Sequence, residues 1–254
     1  MRHIAASRSK ASACRFIYFT SERYFTCEWA NDFVGLLEFL RPAKDVPTTW
    51  WSAADAMTLR PKFSSLVILI IGLWIFGTGD AVLIAAGIGN TPWTVLAEGI
   101  ALQIGWSIGQ ATFLVSVLVL GFWIPLREKP GVGTILNAIL IAAAIEIMLP
   151  FLPTPISLVG GVAQVILGVI LVGIGSGLYL SANLGPGPRD GTMTGLTRVT
   201  GISIGRVRGG IEISVLLAGW ALGGTFWIGT FIFAILIGPV VAICLNITGK
   251  IGHK

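Results

Sequence analysis

LVILIIGLWIFGTGDAVLIAAGIG, residues 66–89, holds a single ionisable residue, and further apolar runs of similar character follow it. A bilayer core about 30 Å thick is crossed by about 20 apolar residues in a helix. Inside it no water is present to satisfy backbone N–H and C=O groups, so such a run closes its hydrogen bonds within itself as an α-helix. Composition agrees: 54% of residues are hydrophobic, 11% are charged and the mean hydropathy is +0.85. A soluble domain carries about 25% charged residues. The fold class is therefore an all-α polytopic membrane protein. Its net charge of +5 speaks about topology and membrane lipid rather than nucleic acid.

Six spans are expected, at about 64–86, 107–126, 131–150, 156–182, 203–222 and 227–247. Ser107 and Ser203 are N-cap residues in kind for the second and fifth. Two shorter runs interrupt the series: TPWTVLAEGIALQI after the first span and GPRDGTMTGLTRVT after the fourth. Each starts with proline near the first helical position, where the missing N–H costs nothing. About 13 residues of helix reach only about 20 Å, too short to cross.

The two interruptions are related. With a shift of 96 residues, Gly72, Gly77 and Gly79 fall on Gly168, Gly173 and Gly175. Gly89 and Pro92 fall on Gly185 and Pro188, SIG at 107–109 on SIG at 203–205, and AILI at 138–141 on AILI at 234–237. The break GPGPRDG (185–191) thus has a partner in GNTPWTV (89–95). The domains read as an N-terminal cytoplasmic extension (1–62), a first membrane repeat (63–150) and a second (156–250). Three spans per repeat turn the second copy upside down, as in many transporters. Lys and Arg favour the cytoplasm, and segments 87–106, 151–155 and 223–226 hold neither. Both termini are therefore expected on the cytoplasmic side of the membrane.

The extension is different in kind. It reads as a disordered tail or as sequence ahead of a true start at Met57, with EWANDFVGLLEFL (28–40) as an amphipathic surface helix. It lacks the long clean apolar core of a cleaved signal peptide. No chemistry is assigned to it.

An ionisable group within hydrocarbon is expensive, so each marks a candidate site. Asp80 follows a GTG that weakens its helix. On the first short helix Thr91, Thr94 and Glu98 share a face, beside Asn90; on the second Asp190, Thr194 and Thr197 do. Arg189 with Asp190 sits at a helix start, where amide groups attract anions. Arg208 and Glu212 are four apart on the fifth span and are expected to pair, and Arg206 points elsewhere, towards Asp190 or lipid phosphate. The candidate substrate- or ion-binding set is thus Asp80, Asn90, Thr91, Thr94, Glu98, Arg189, Asp190, Thr194, Arg206 and Glu212. Glu146, Asn137, Gln110 and Gln164 read as structural. His3 and His253 lie at the chain ends and Cys14, Cys27 and Cys244 form no CxxC, so no metal site, cofactor or catalytic set is expected, and no enzyme.

ANLGPGPRDGTMTGLTRVTGISIGRVR and GVGTILNAILI resemble the YczE-like proteins, bacterial membrane proteins of the YitT type. The resemblance rests on the Asn-Leu-Gly-x-x-Pro break with Asp190 beyond it, the T-G-x-S-x-G lead into the next span, and the G-T-x-x-N-A run, and it covers about 65–245. It implies an integral plasma-membrane protein and no particular substrate. The first repeat departs from the pattern at Asn90-Thr91 and Trp93-Thr94, so a site that uses Arg189 and Asp190 is asymmetric. A small-solute secondary transporter is the leading expectation, its polar site between the repeats, with Glu98 and Asp190 accepting a proton or cation. The alternatives are a non-transporting regulatory or assembly protein and a passive channel. The partners expected are lipid, an unidentified small solute and, as an open question, further copies of the chain.

Overall fold

The computed structural model describes residues 14–19, 22–27, 46–58 and 60–252. The chain forms two units, Met1–Arg41 and Pro42–Lys254. In the first, strands β1 (Cys14–Phe19) and β2 (Glu22–Cys27) pair antiparallel with Cys14 opposite Cys27. This small β element was not expected within an all-α chain. The surface helix expected at 28–40 lies outside the described residues.

The second unit is helical. Its elements are α1 (Phe63–Ala86), α2 (Pro92–Ile104), α3 (Ile108–Gly121), α4 (Trp123–Leu126), α5 (Val132–Met148), α6 (Leu158–Ser181), α7 (Pro188–Thr200), α8 (Ile204–Ala221) and α9 (Ile228–Gly252). Five stretches are long and apolar enough to cross a membrane: 63–86, 108–126, 132–151, 158–181 and 228–252. The sixth expected span, α8, has 18 residues and includes Arg206, Arg208 and Glu212, which takes it below that standard of apolarity. Pro239 lies inside α9 without ending it; neighbouring groups in a membrane bundle satisfy what proline frees.

The centre of the bundle is α1 packed along α6. Gly72 meets the Gly175 carbonyl and Gly79 the Gly168 carbonyl, so the two helices run antiparallel. Small residues let the backbones touch, which is how helices associate where lipid tails are as apolar as leucine. The contacts are reciprocal at positions 96 apart. Gly133 N–H donates to the Leu184 carbonyl and Gly229 N–H to the Ile88 carbonyl, both at 2.7 Å. Positive φ also recurs at that spacing, at Gly87 and Asn183 and at Gly89 and Gly185.

One expected cap differs from the structure. Ser107 caps α3, accepting from Gln110 N–H in a full capping box. Ser203 makes no side-chain cap on α8; its hydroxyl accepts from Arg206 Nε at 3.0 Å. Arg206, exposed, thus reaches neither Asp190 nor the interior.

Residues 49–53 belong to the same compact unit as the helices, which runs from Pro42. Trp51 is 5% exposed and its Nε1 donates to Ser181 Oγ at 3.1 Å. Ser52 Oγ donates to the Ser181 carbonyl, and Asn183 Nδ2 to the Ala53 carbonyl. The Ser52 bond, with Ala53 N–H donating to the Ala182 carbonyl at 3.0 Å, satisfies open carbonyls at the end of α6.

A Cβ at Gly175 would lie 2.6 Å from Phe76 N, whereas one at Gly210, midway along α8, meets nothing within 4 Å. Gly175→Ala is expected to destabilise by about 1–3 kcal/mol through overpacking. Gly210→Ala is expected to gain up to about 1 kcal/mol of helix propensity. Thermal unfolding in detergent compares the two.

Candidate functional site

Gly89 and Gly185 hold φ of 116° and 106°, which side chains rarely adopt, and they turn the chain out of α1 and α6. Extended residues Thr91 and Gly187 then lead into Pro92 and Pro188, the first residues of α2 and α7. Both short helices therefore begin within the bundle. At α2 the Thr91 hydroxyl accepts from Thr94 N–H at 3.2 Å. At α7 the capping position is Gly187, and the first-turn amides receive no side-chain cap.

The two starts line one cavity of about 260 Å³, room for roughly eight waters at about 30 Å³ each. Its walls come in pairs 96 residues apart: Phe76 with Val172, Asp80 with Ser176, Thr91 with Gly187, Trp93 with Arg189, Asn137 with Phe233, and Ile141 with Ile237. The pairs match in position and differ in chemistry. Trp93 and Arg189 touch, with the guanidinium 5.2 Å from the ring centroid, a cation–π contact.

The charges divide into satisfied and unsatisfied. Asp190 Oδ2 accepts from the Tyr179 hydroxyl at 2.8 Å. Arg208 Nε donates to Glu212 Oε1 at 2.9 Å, the pair expected from their spacing. Asp80 is 1% exposed and neither of its oxygens has a hydrogen-bond partner among the described residues. Arg189 is in no ion pair among those residues. Arg189 faces the carboxylates of Asp80, Asp190 and Glu212 around the cavity without an ion-pair contact among the described residues.

Of the ten residues singled out from sequence, Asp80, Thr91, Arg189, Asp190 and Glu212 line the cavity. Asn90, Thr94, Glu98, Thr194 and Arg206 are outside its lining. Glu98 is fully used elsewhere, accepting from Asn90 Nδ2 at 2.8 Å and from Thr225 N–H and Oγ1, each at 2.7 Å. It ties α2 to the loop before α9. Thr94 bonds to Thr91, and Thr194 donates to the Gly191 carbonyl. Sequence reasoning missed Trp93, Tyr179 and Ser176, whose residue types are ordinary in apolar helices.

A second hollow of about 330 Å³ shares Arg208, Glu212, Phe233 and Ile237 with the first and continues along α9 past Gly238 and Ala242. It exists because α8 and α9 hardly approach, while their counterparts α3 and α5 pack closely. Gly109 of α3 sits against Glu146, whose Oε2 accepts from Ser107 Oγ. The equivalent Gly205 faces open space.

A buried carboxylate without a donor weakens a fold. Asp80→Asn is expected to raise the thermal midpoint, by about 2–4 °C per kcal/mol recovered in a chain of this size. Glu98→Ala is expected to lower it, since it strands three donors at about 1–3 kcal/mol each where buried. Thermal unfolding of the two variants checks both signs.

The chain matches the model of a family of unknown function, DUF6198, over residues 63–246. It is 42% identical over 208 residues to an uncharacterized protein of Haemophilus influenzae, covering 82% of this chain and 94% of that one. It is 34% identical over 184 residues to the uncharacterized membrane protein YczE of Bacillus subtilis, covering 72% and 83%. The Bacillus subtilis protein YyaS is 28% identical over 124 residues, covering 47% and 62%. No solved structure matches the chain. The break after α6 and the glycine-paired helices around it lie inside the matched region, and with that coverage the chain belongs to the YczE-like membrane proteins of this family.

Proposed function

We propose that the protein is a small-solute secondary transporter of the bacterial inner membrane. In this reading α8 crosses as a sixth span, and two inverted three-span repeats meet across α1 and α6 with both termini cytoplasmic. The observation that carries it is the cavity itself. Both broken-helix starts line it, and it contains a buried carboxylate, Asp80, with no hydrogen-bond partner among the described residues. An intramembrane charge retained without a structural partner is a group kept for a ligand or an ion. No catalysis is assigned.

Access follows from the asymmetry of the two halves. The C-terminal end of α8 is anchored on α2, where Gly99 and Gly219 are in backbone contact. The matching end of α3 is anchored on α7 by Trp123, whose Nε1 donates to the Pro188 carbonyl at 3.0 Å. The N-terminal ends differ: that of α3 rests on α5, and that of α8 stands off α9. Solute entry is assigned to this gap, and its closure to a swing of α8 that brings Gly205 towards Ala242, as Gly109 meets Glu146.

Reconstituted proteoliposomes test the function. Saturable, gradient-dependent uptake of at least one class among labelled amino acids, amines and carboxylates is expected, with loss of at least about tenfold in Asp80→Asn. Uptake no greater than in protein-free liposomes, or uptake indifferent to Asp80, contradicts transport and favours a regulatory or assembly role. In a chain with Cys14, Cys27 and Cys244 replaced by serine, Gly205→Cys with Ala242→Cys is expected to cross-link through a short bifunctional reagent. Cross-linking is expected to block uptake; no cross-link contradicts the swing.

A further inference from the structure

The cavity has five charged side chains, and three of them are already engaged in hydrogen bonds. Asp190 holds the Tyr179 hydroxyl, and Glu212 holds Arg208. One carboxylate and one guanidinium are left over, Asp80 on α1 and Arg189 on α7, each in no ion pair among the described residues. A lone cation would satisfy Asp80 and leave Arg189; a lone anion would do the reverse. A solute with both charges on one small skeleton answers both and adds no net charge to a low-dielectric site, where each unmatched charge is costly.

The surroundings sort the two ends. Arg189 is the second residue of α7, beside first-turn amides that no side chain caps. Amides at a helix start and a guanidinium together make a carboxylate site. Asp80 lines the same cavity from α1, one helical turn after Phe76, and is acceptor-only when ionised. It matches an ammonium. The remaining walls combine the apolar side chains of Ile141, Val172, Phe233 and Ile237 with the polar ones of Thr91, Asn137 and Ser176, and the volume admits a small solute only.

We propose that the cavity binds a small zwitterion of the neutral amino-acid type, its ammonium on Asp80, its carboxylate on Arg189 and its apolar side chain among the aliphatic walls. As a statement of what is carried, this rests on the transport reading; as a statement of binding, it stands apart from flux.

Equilibrium binding to the purified full chain in detergent tests it with three probes. L-leucine has both charges, leucinamide lacks the carboxylate, and 4-methylpentanoate lacks the ammonium. Leucine is expected to bind saturably, with each single-charge probe weaker by at least about tenfold. In Asp80→Asn the preference for leucine over 4-methylpentanoate is expected to collapse towards unity; in Arg189→Gln the preference over leucinamide does. If Arg189→Gln does not fold, the order of the three probes on the unaltered protein decides alone. Leucinamide binding as tightly as leucine makes this a cation site and overturns the proposal. So does 4-methylpentanoate binding as tightly as leucine, or an absence of saturable leucine binding. Leucine that binds but is not taken up by proteoliposomes leaves this proposal standing and removes the transport reading. Asp80-dependent uptake of a solute with one charge or none does the opposite.

Discussion

The structure depends on two helices being able to touch. Gly72, Gly79, Gly168 and Gly175 bring the backbones of α1 and α6 together along an antiparallel crossing. In hydrocarbon no solvent drives helices together, so this close packing is what associates the bundle. It also brings the breaks at Gly89 and Gly185 inward, since each follows directly from the end of one of these helices. Everything polar in the interior hangs from that placement.

The interior is consequently arranged in matched positions with unmatched chemistry. Tryptophan faces arginine 96 residues further along the chain, and aspartate at 80 is matched by serine at 176. Matching backbone geometry makes a hollow; the differences in side chain give it polarity. The same contrast operates at the periphery. Gly219 lets α8 settle on α2, while Trp123 at the corresponding place fills the space above Gly191. The far end of α8 remains apart from α9, and the hollow opens there.

Much of this was legible in the sequence, for physical reasons. Span length is dictated by the bilayer, so helix bounds read from apolar runs agree with the structure closely, as at 63–86 and 158–181. Proline and glycine fix where the short helices start. Asp80 and Arg189 stood out because charge in oil needs a reason. Glu98 did not read correctly from its helix face: its partner Thr225 lies 127 residues away, in a loop that no local pattern announces. The contacts of residues 49–53 were equally hidden, because Trp51 and Ser52 have no periodicity and act through single hydrogen bonds to Ser181. Tyr179 and Trp93 look like core residues until the fold aims them at Asp190 and Arg189.

The central claim is that both broken backbones meet at a charged hollow built to hold a ligand. A cryo-electron microscopy map of the full chain in lipid nanodiscs, with L-leucine present, tests it most directly. The account predicts Thr91 and Gly187 on opposite walls of one cavity, with non-protein density bridging Asp80 and Arg189. Short helices lying separately against lipid, or Asp80 and Arg189 joined directly with no space between them, would contradict it.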